Sequence, residues 1–164
     1  MNSINIQTLK LSASSPAFPT SREGHTLTYI DDIDRFIMFG GGSTARMNDT
    51  YVLDDVTPCW IKPDEKGTKP LERWYHAAWY DKPCLFIFGG KLQSSQQQAD
   101  VHCFILETGV WKRVFALEFP PMRDKHCMKR IPGTKSALLF GGYTIQKNSL
   151  LNDLWIFNYG IKVY

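Results

Sequence analysis

The chain repeats one pattern three times, and this repetition limits its fold more than any other feature. Each copy places an arginine three residues before a histidine, at Arg22–His25, Arg73–His76 and Arg123–His126. Each then reaches an apolar run that ends in Phe-Gly-Gly, beginning at Phe39, Phe88 and Phe140. An aspartate follows in every copy: Asp49, Asp100 and Asp153. A period of about 50 residues is typical of solenoids and propellers.

Each copy also predicts a set of short strands. Runs rich in Phe, Ile, Val and Tyr, bounded by Gly, Pro, Asn and Asp, are typical of strands. They lie near 25–29, 36–39, 50–53 and 59–61 in the first copy, and near 76–80, 85–88, 101–105 and 110–114 in the second. The third copy has them near 126–131, 137–140 and 154–157, with a fourth beginning at Ile161. No window keeps the apolar spacing of a long helix, so we expect four strands, a to d, in each copy.

These motifs resemble the kelch-repeat family over nearly the whole chain. The hallmarks are the diglycine, the strand after the aspartate, and the later aromatic residue at Trp60, Trp111 or Tyr164. The resemblance implies an all-β fold of kelch-type β-propeller blades, with about three four-stranded antiparallel sheets plus an extra N-terminal strand. Residues 1–164 are expected to form one kelch-repeat region, with the extra strand near 4–11 and blades at about 22–62, 73–115 and 123–164. Tyr75 and Lys125 replace Gly24 of the first copy, and Tyr164 replaces the usual tryptophan.

The number of blades predicts a partial or open propeller. Three blades fall short of the usual four to eight, and an open arc leaves strand edges exposed. In many kelch propellers an N-terminal strand, here Thr8–Leu11, completes the last blade. We therefore expect either the N-terminal portion of a longer propeller or a chain that needs a partner to complete it, with self-association through open blade edges as one route.

The repeated side chains have expected structural roles. Trp60 and Trp111 are large enough to fill the wedge between adjacent sheets. The repeated Arg, His and Asp residues are expected to tie loops together, because burying one of them unpaired costs several kcal/mol.

Charge and cysteine content limit the partners and the compartment. The chain has 19 Lys plus Arg and 16 Asp plus Glu, a formal charge of +3, without a block of like charge that would predict a nucleic-acid or membrane partner. A basic cluster at Lys125, Lys129, Arg130 and Lys135 is interpreted as solvated strand-edge charge. The four cysteines (Cys59, Cys84, Cys103, Cys127) lack the spacing of a zinc knuckle or redox pair. Free thiols and a cytoplasmic location are expected.

Catalytic and metal motifs are not recognised in the sequence. Three of the four histidines occupy one slot in successive copies, which favours a structural role over metal ligation. There is no Gly-x-Ser-x-Gly elbow and no phosphate-binding loop. We therefore expect a non-enzymatic protein without a cofactor. The alternative is the N-terminal part of a propeller enzyme of the copper-oxidase type, with its catalytic residues outside this chain, and a degenerate fragment is a third interpretation.

The loops provide the candidate binding surface. In an antiparallel meander the b–c loops, near 43–48, 91–99 and 143–151, share one end with the links at 63–72 and 117–122. Functional residues gather on loops held by a rigid scaffold. We predict a scaffold or adaptor that binds another protein, such as an acidic peptide or loop, through six residues: Arg46, Asn48, Lys91, Gln93, Tyr143 and Lys147. The run from Gln93 to Gln98 is interpreted as a mobile polar loop.

Overall fold

The structure is a computed structural model that describes residues 8, 11, 17–54 and 56–160. Within those ranges every regular element is a β-strand. The strands are β1 (Thr26–Ile30), β2 (Arg35–Phe39), β3 (Thr50–Asp54), β4 (Cys59–Ile61), β5 (Lys66–Gly67), β6 (Ala77–Asp81), β7 (Cys84–Phe88), β8 (Val101–Ile105), β9 (Val110–Val114), β10 (Cys127–Arg130), β11 (Ser136–Phe140), β12 (Tyr143–Thr144), β13 (Ser149–Leu150) and β14 (Leu154–Asn158).

Three antiparallel sheets follow the three sequence copies. The first sheet has the order β1-β2-β3-β4, and the second has β6-β7-β8-β9 with β5 added parallel to β9 at its edge. The third sheet, as described, has the order β10-β11-β14, and a short hairpin, β12-β13, lies within its b–c loop. β6 lies between β1 and β10, so the first strands of the three sheets are neighbours. The prediction of an all-β fold made of open antiparallel sheets is confirmed.

The predicted strands agree closely with the observed ones. No described strand boundary differs from its predicted position by more than one residue. Two elements were not predicted, namely β5 and the β12-β13 hairpin, because stretches of two residues carry no readable alternation. The extra strand expected near 4–11 falls outside the described residues except for Thr8 and Leu11, and the fourth strand expected from Ile161 falls wholly outside them.

The hydrophobic core lies between the sheets. Ile37 and Phe39 of the first sheet pack against Leu85, Phe104 and Trp111 of the second. On the other face of the second sheet, a second cluster joins it to the third; its members include Phe86, Phe88, Val101, Met128 and Leu139. β7 is buried along its whole length because a sheet covers each of its faces. Alternate side chains of β7 therefore face the first and the third sheet.

The diglycines permit this close packing. Gly41 and Gly90 have positive φ angles of 81° and 92°, which side chains other than glycine rarely adopt. A Cβ on Gly90 would lie 2.8 Å from the Cβ of His76 and 2.9 Å from the carbonyl oxygen of Trp74. The turn after β7 can therefore lie directly against residues 74–76, which lead into β6.

Candidate functional site

The three repeat arginines make the same buried contacts. Arg73 is fully buried, and its guanidinium donates to both carboxylate oxygens of Asp100, at 2.6 and 3.1 Å. It also donates to the carbonyl oxygens of Gly89 and Leu71, at 2.9 and 3.0 Å. Arg22 and Arg123 make equivalent bidentate pairs, with Asp49 and Asp153. Each arginine thus ties the entry to a sheet to the start of its third strand, as the sequence predicted.

Two of the repeat arginines lower the pKa values of their aspartate partners. Hydrogen bonds from the Arg123 side chain lower the pKa of Asp153 to about 2. At Asp100, burial alone would raise the pKa, but the hydrogen bonds and charge of Arg73 outweigh it and the net shift is downward. Both carboxylates are therefore held ionised as partners of the arginines.

Two of the three repeat histidines lie between sheets. The rings of His76 and His126 pack edge-on against Phe39 and Phe88 of the preceding sheet, with centroids 5.3 and 5.2 Å apart. The Nε2 atom of His76 also lies 3.0 Å from the Thr26 hydroxyl of the first sheet. His25 in the first copy is exposed. Within the described ranges no group of three or more His, Cys, Asp or Glu could hold a metal ion.

Burial of these histidines predicts acid sensitivity. Burial, and then the charge of Arg123, lower the pKa of His126 from 6.5 to about 4. Between those values the unfolded chain binds the proton and the folded chain does not, so stability present above pH 6.5 is lost as the pH falls towards 4. We expect His126 to account for a loss of about 2 kcal/mol between pH 7 and pH 5.

Urea denaturation at pH 7 and pH 5 measures this loss. H126Q should reduce the difference in unfolding free energy between the two pH values by about 2 kcal/mol. H25Q changes the equivalent but more exposed histidine, whose pKa burial and Arg22 lower by less, and should therefore reduce the difference by less than H126Q does. Equal stability of the unmodified chain at the two pH values would contradict the prediction.

The b–c loops and the Arg-x-x-His segments form one surface, here termed the loop face. It consists of segments 22–25, 73–76 and 123–126 and loops 40–49, 89–100 and 141–153. Each segment forms a two-way backbone bridge with the loop of its own sheet. The bridged pairs are Glu23 with Gly42, Trp74 with Lys91 and Asp124 with Tyr143, at N–O distances of 2.9 to 3.2 Å. The two kinds of loop therefore share one end of the sheets, as the strand directions predict.

Arg46 and Gln93 meet on the loop face. The Arg46 Nη1 atom donates to the Gln93 Oε1 atom at 2.7 Å, and the Arg46 backbone N–H donates to the same oxygen at 3.2 Å. The Arg46 guanidinium lies 3.9 Å from the centre of the Trp74 ring, a cation–π contact. The structure thus brings together two predicted site residues from different sheets, and it adds Trp74 to them.

The other four predicted site residues are dispersed. Asn48 donates through Nδ2 to the carbonyl oxygen of Pro70 at 3.0 Å, a contact that links the first sheet to the following segment. Lys91 is half-buried and Lys147 is exposed. The Tyr143 hydroxyl donates to the Asn148 Oδ1 atom, at 2.5 Å, inside its own loop. In the part of the chain that the structure describes, no hydrogen bond joins these four side chains to one another.

Gln97 corrects the interpretation of its glutamine-rich loop. Its side chain is 2% exposed. The Nε2 group donates to Asp124 Oδ2 and to the Tyr143 carbonyl at 3.0 and 2.8 Å, and the Oε1 atom accepts the Ile145 N–H at 2.7 Å. The end of this loop is therefore fixed to the third sheet and is not simply a mobile polar segment. Composition missed this because only the fold distinguishes Gln97 from its exposed neighbours.

Trp74, Tyr75 and Lys125 are further loop-face residues that were not predicted. The rings of Trp74 and Tyr75 lie 5.1 Å apart, and the Lys125 ammonium lies 5.0 Å from the Tyr75 ring. Tyr75 and Lys125 keep the positive φ of Gly24, with values of 55° and 57° against 65°. With Arg46 they form a row across the three sheets in which the two rings lie between the two cations. The sequence did contain a signal for them: the two positions between Arg and His differ in every copy, whereas the Arg and the His do not.

Comparison with known proteins identifies the family. The chain matches the family model described as the KLHDC2/KLHL20/DRC7 Kelch-repeats domain over residues 1–160. The chain belongs to the kelch-repeat family. Host cell factor 2 of Homo sapiens is 40% identical over 165 residues, covering 84% of this chain and 21% of that protein. Rho GTPase-activating protein gacHH of Dictyostelium discoideum is 29% identical over 139 residues, covering 82% of this chain and 9% of that protein.

A plant relative shares the same kelch region. Adagio-like protein 3 of Oryza sativa subsp. japonica is 30% identical over 139 residues, covering 82% of this chain and 21% of that protein. The kelch chain thus spans at most about a fifth of the length of each of these three relatives. The kelch resemblance seen in the repeats is confirmed.

Features outside the loop face belong to packing between kelch sheets. Arg130 and Lys135, from the basic cluster, both donate to the buried Asp81 of the second sheet, at 2.9 and 2.6 Å. A groove of about 430 Å3 beside β14 has mainly apolar walls, including Trp79, Phe119 and Trp155.

All four cysteines are free thiols, with Cys84 and Cys103 buried. Among the described elements there is no helix of the length and apolarity that crossing a membrane requires.

Proposed function

We propose that this kelch chain is a non-enzymatic interaction scaffold or adaptor that binds another protein through its loop face. The repeated Arg and Asp residues are paired within each sheet, and Trp111 packs between two sheets, so the loops carry what differs between copies. The observation on which the proposal rests is the Arg46–Gln93 contact, which places variable residues of two sheets on one surface. The relatives carry different names while sharing this region, which favours a common binding role over a common reaction.

The charge of the loop face favours an acidic partner segment. Arg46, Lys91, Lys125 and Lys147 all lie on this face. Of the two acidic residues in the Arg-x-x-His segments, Glu23 is exposed, whereas Asp124 is buried and already accepts a hydrogen bond from Gln97. An extended acidic peptide or loop could therefore meet cations together with the Trp74 and Tyr75 rings. We also propose blades at about 22–62, 73–115 and 123–164 in a single kelch region, located in the cytoplasm, with neither nucleic acid nor membrane as partner.

Neutralising three loop-face cations tests this function. The triple variant R46Q/K91Q/K147Q should reduce the recovery of partner proteins about tenfold, since each surface charge contributes up to about 1 kcal/mol. Recovery is measured by quantitative affinity purification with the chain as bait, at low and at physiological salt. All three residues lie in loops, so the thermal unfolding midpoint should fall by at most a few degrees, the expected cost of losing the Arg46 contacts with Gln93 and Trp74.

A matched variant controls for total charge. K66Q/K82Q/K112Q removes three exposed cations that lie outside the loop face. It should bind partners as the unmodified chain does. Undiminished recovery with the loop-face variant, or equal loss with both variants, would contradict the proposal.

A further inference from the structure

The two junctions between sheets use the same three backbone hydrogen bonds. Between the first and second sheets, Gly41 N–H donates to Arg73 C=O, Arg73 N–H to Met47 C=O, and Tyr75 N–H to Gly24 C=O, at 2.9, 3.1 and 2.8 Å. Between the second and third sheets the corresponding bonds run from Gly90 to Arg123, from Arg123 to Gln98 and from Lys125 to Tyr75, at 2.9, 3.3 and 3.0 Å. Each junction therefore has two halves. The earlier sheet supplies one N–H donor and two carbonyl acceptors, and the later sheet supplies one carbonyl acceptor and two N–H donors.

The third sheet has the three backbone groups that an earlier sheet contributes to a junction, but these groups are not hydrogen-bonded within the described residues. The equivalent groups are Gly142 N–H, Leu151 C=O and Lys125 C=O, and among the described residues none of them has a hydrogen-bond partner. A Cβ built on Gly141 would meet only the Leu151 carbonyl, whereas a Cβ built on the equivalent Gly89 would lie 2.8 Å from the His126 ring. The place that a histidine ring fills in the other junctions is open here.

The apolar side chains around this half are exposed. Phe140 is 54% exposed, whereas the equivalent Phe39 and Phe88 are fully buried. Leu154 and Ile156 are 61% and 58% exposed, whereas the equivalent Val101 and Cys103 are each 4% exposed. The same positions thus form a buried core in the second sheet and an uncovered apolar face in the third.

The first sheet carries the complementary half. Its equivalent groups are Arg22 C=O, Arg22 N–H and Gly24 N–H, and they too lack hydrogen-bond partners within the described ranges. His25 is exposed, although the equivalent His76 and His126 are buried against phenylalanine. Leu27 is 50% exposed, whereas Met128, in the equivalent position of the third sheet, is 4% exposed. The chain therefore presents both halves of one further junction, on opposite sides.

We propose that the third sheet of one copy of this chain binds the first sheet of a second copy through a junction of the same kind. Gly142 N–H would donate to Arg22 C=O of the second copy, and Leu151 and Lys125 carbonyls would accept the Arg22 and Gly24 N–H groups. The His25 ring would lie against Phe140, in the place left open beside Gly141. The inference does not depend on the proposed loop-face partner, because it concerns only how the sheets associate.

We infer that a second copy of the chain binds the third sheet because the first sheet of the same chain carries every group that the junction requires. One donor and two acceptors face one acceptor and two donors, and an exposed phenylalanine faces an exposed histidine. The contact is heterologous, since the two surfaces differ, so copies join head to tail until the ring closes. Association also removes the exposed sheet face, which is otherwise an aggregation hazard.

The mass of the chain in solution tests the proposal. Light scattering after size exclusion should give at least twice the chain mass of 18.8 kDa at micromolar concentration. L27E alters only the first-sheet half, and L154E/I156E alters only the third-sheet half. Each variant should run at the mass of one chain, whereas L117E, at a fully exposed position outside both halves, should associate as the unmodified chain does.

Mixing the two variants distinguishes a specific junction from non-specific association. L27E keeps an intact third sheet and L154E/I156E keeps an intact first sheet, so an equimolar mixture can form one junction. The mixture should give a one-to-one dimer, although neither component associates alone. A monomeric unmodified chain, an undiminished assembly in either variant, or a mixture that remains monomeric would overturn the proposal.

Discussion

Replacing Arg73 with alanine is expected to destabilise the protein by about 3–5 kcal/mol, the cost of removing one partner of a buried ion pair. The Arg73 side chain is 0% exposed and that of Asp100 is 13% exposed. Without Arg73, the carbonyls of Gly89 and Leu71 lose a charged donor as well. Burial would then raise the pKa of Asp100 without the opposing effect of Arg73.

Arg35 provides a matched control for this variant. It also pairs with an aspartate, Asp54, at 3.0 Å, but its side chain is 40% exposed and only one such bond forms. R35A should therefore cost at most about 1 kcal/mol. Urea denaturation of both variants at pH 7 measures the difference. If R73A and R35A cost the same, burial of the Arg73–Asp100 pair does not make the expected contribution to stability.

The sequence predicted the sheets well because each strand carries its own local signal. Glycine follows β2 and aspartate ends β3, and both strands are short runs rich in β-branched and aromatic residues. The arginine–aspartate pairs could also be predicted, since both residues recur in step in every copy. Repetition therefore carried most of the information about the fold.

The details of the loop face could not be predicted in the same way. Gln97 and Gln96 are the same residue type side by side, and yet one is buried between two sheets and the other is exposed. Arg46 contacts Trp74 and Gln93 because adjacent sheets bring their loops together, although these residues are far apart in sequence. Contacts between copies depend on how the sheets pack, which repetition alone does not determine.

The repeated histidine shows a related limit. One slot in the pattern holds His25, His76 and His126, and the last two are buried between sheets whereas the first is exposed. The difference arises because His76 and His126 each have a preceding described sheet to pack against. Identical motifs thus acquire different environments from their position in the array.

Replacing Trp111 with alanine is expected to cost about 3–5 kcal/mol, the range typical of deleting a large buried aromatic side chain. Trp111 is 1% exposed, its ring lies 5.1 Å from that of Phe39 in the first sheet, and its indole N–H donates to Glu65 at 2.8 Å. The substitution therefore opens a cavity between two sheets and removes one of the donors to Glu65.

Two further variants divide the contribution of Trp111 into its parts. W111F keeps an apolar ring but removes the N–H, so it should cost about 1–3 kcal/mol. W60A changes the same repeat position in the first sheet, where the tryptophan is only half-buried, and should cost about 1–2 kcal/mol. Thermal or urea unfolding of the three variants should rank W111A as the least stable. If W60A were as destabilising as W111A, burial between two sheets would not explain the cost, since only Trp111 is enclosed on both sides.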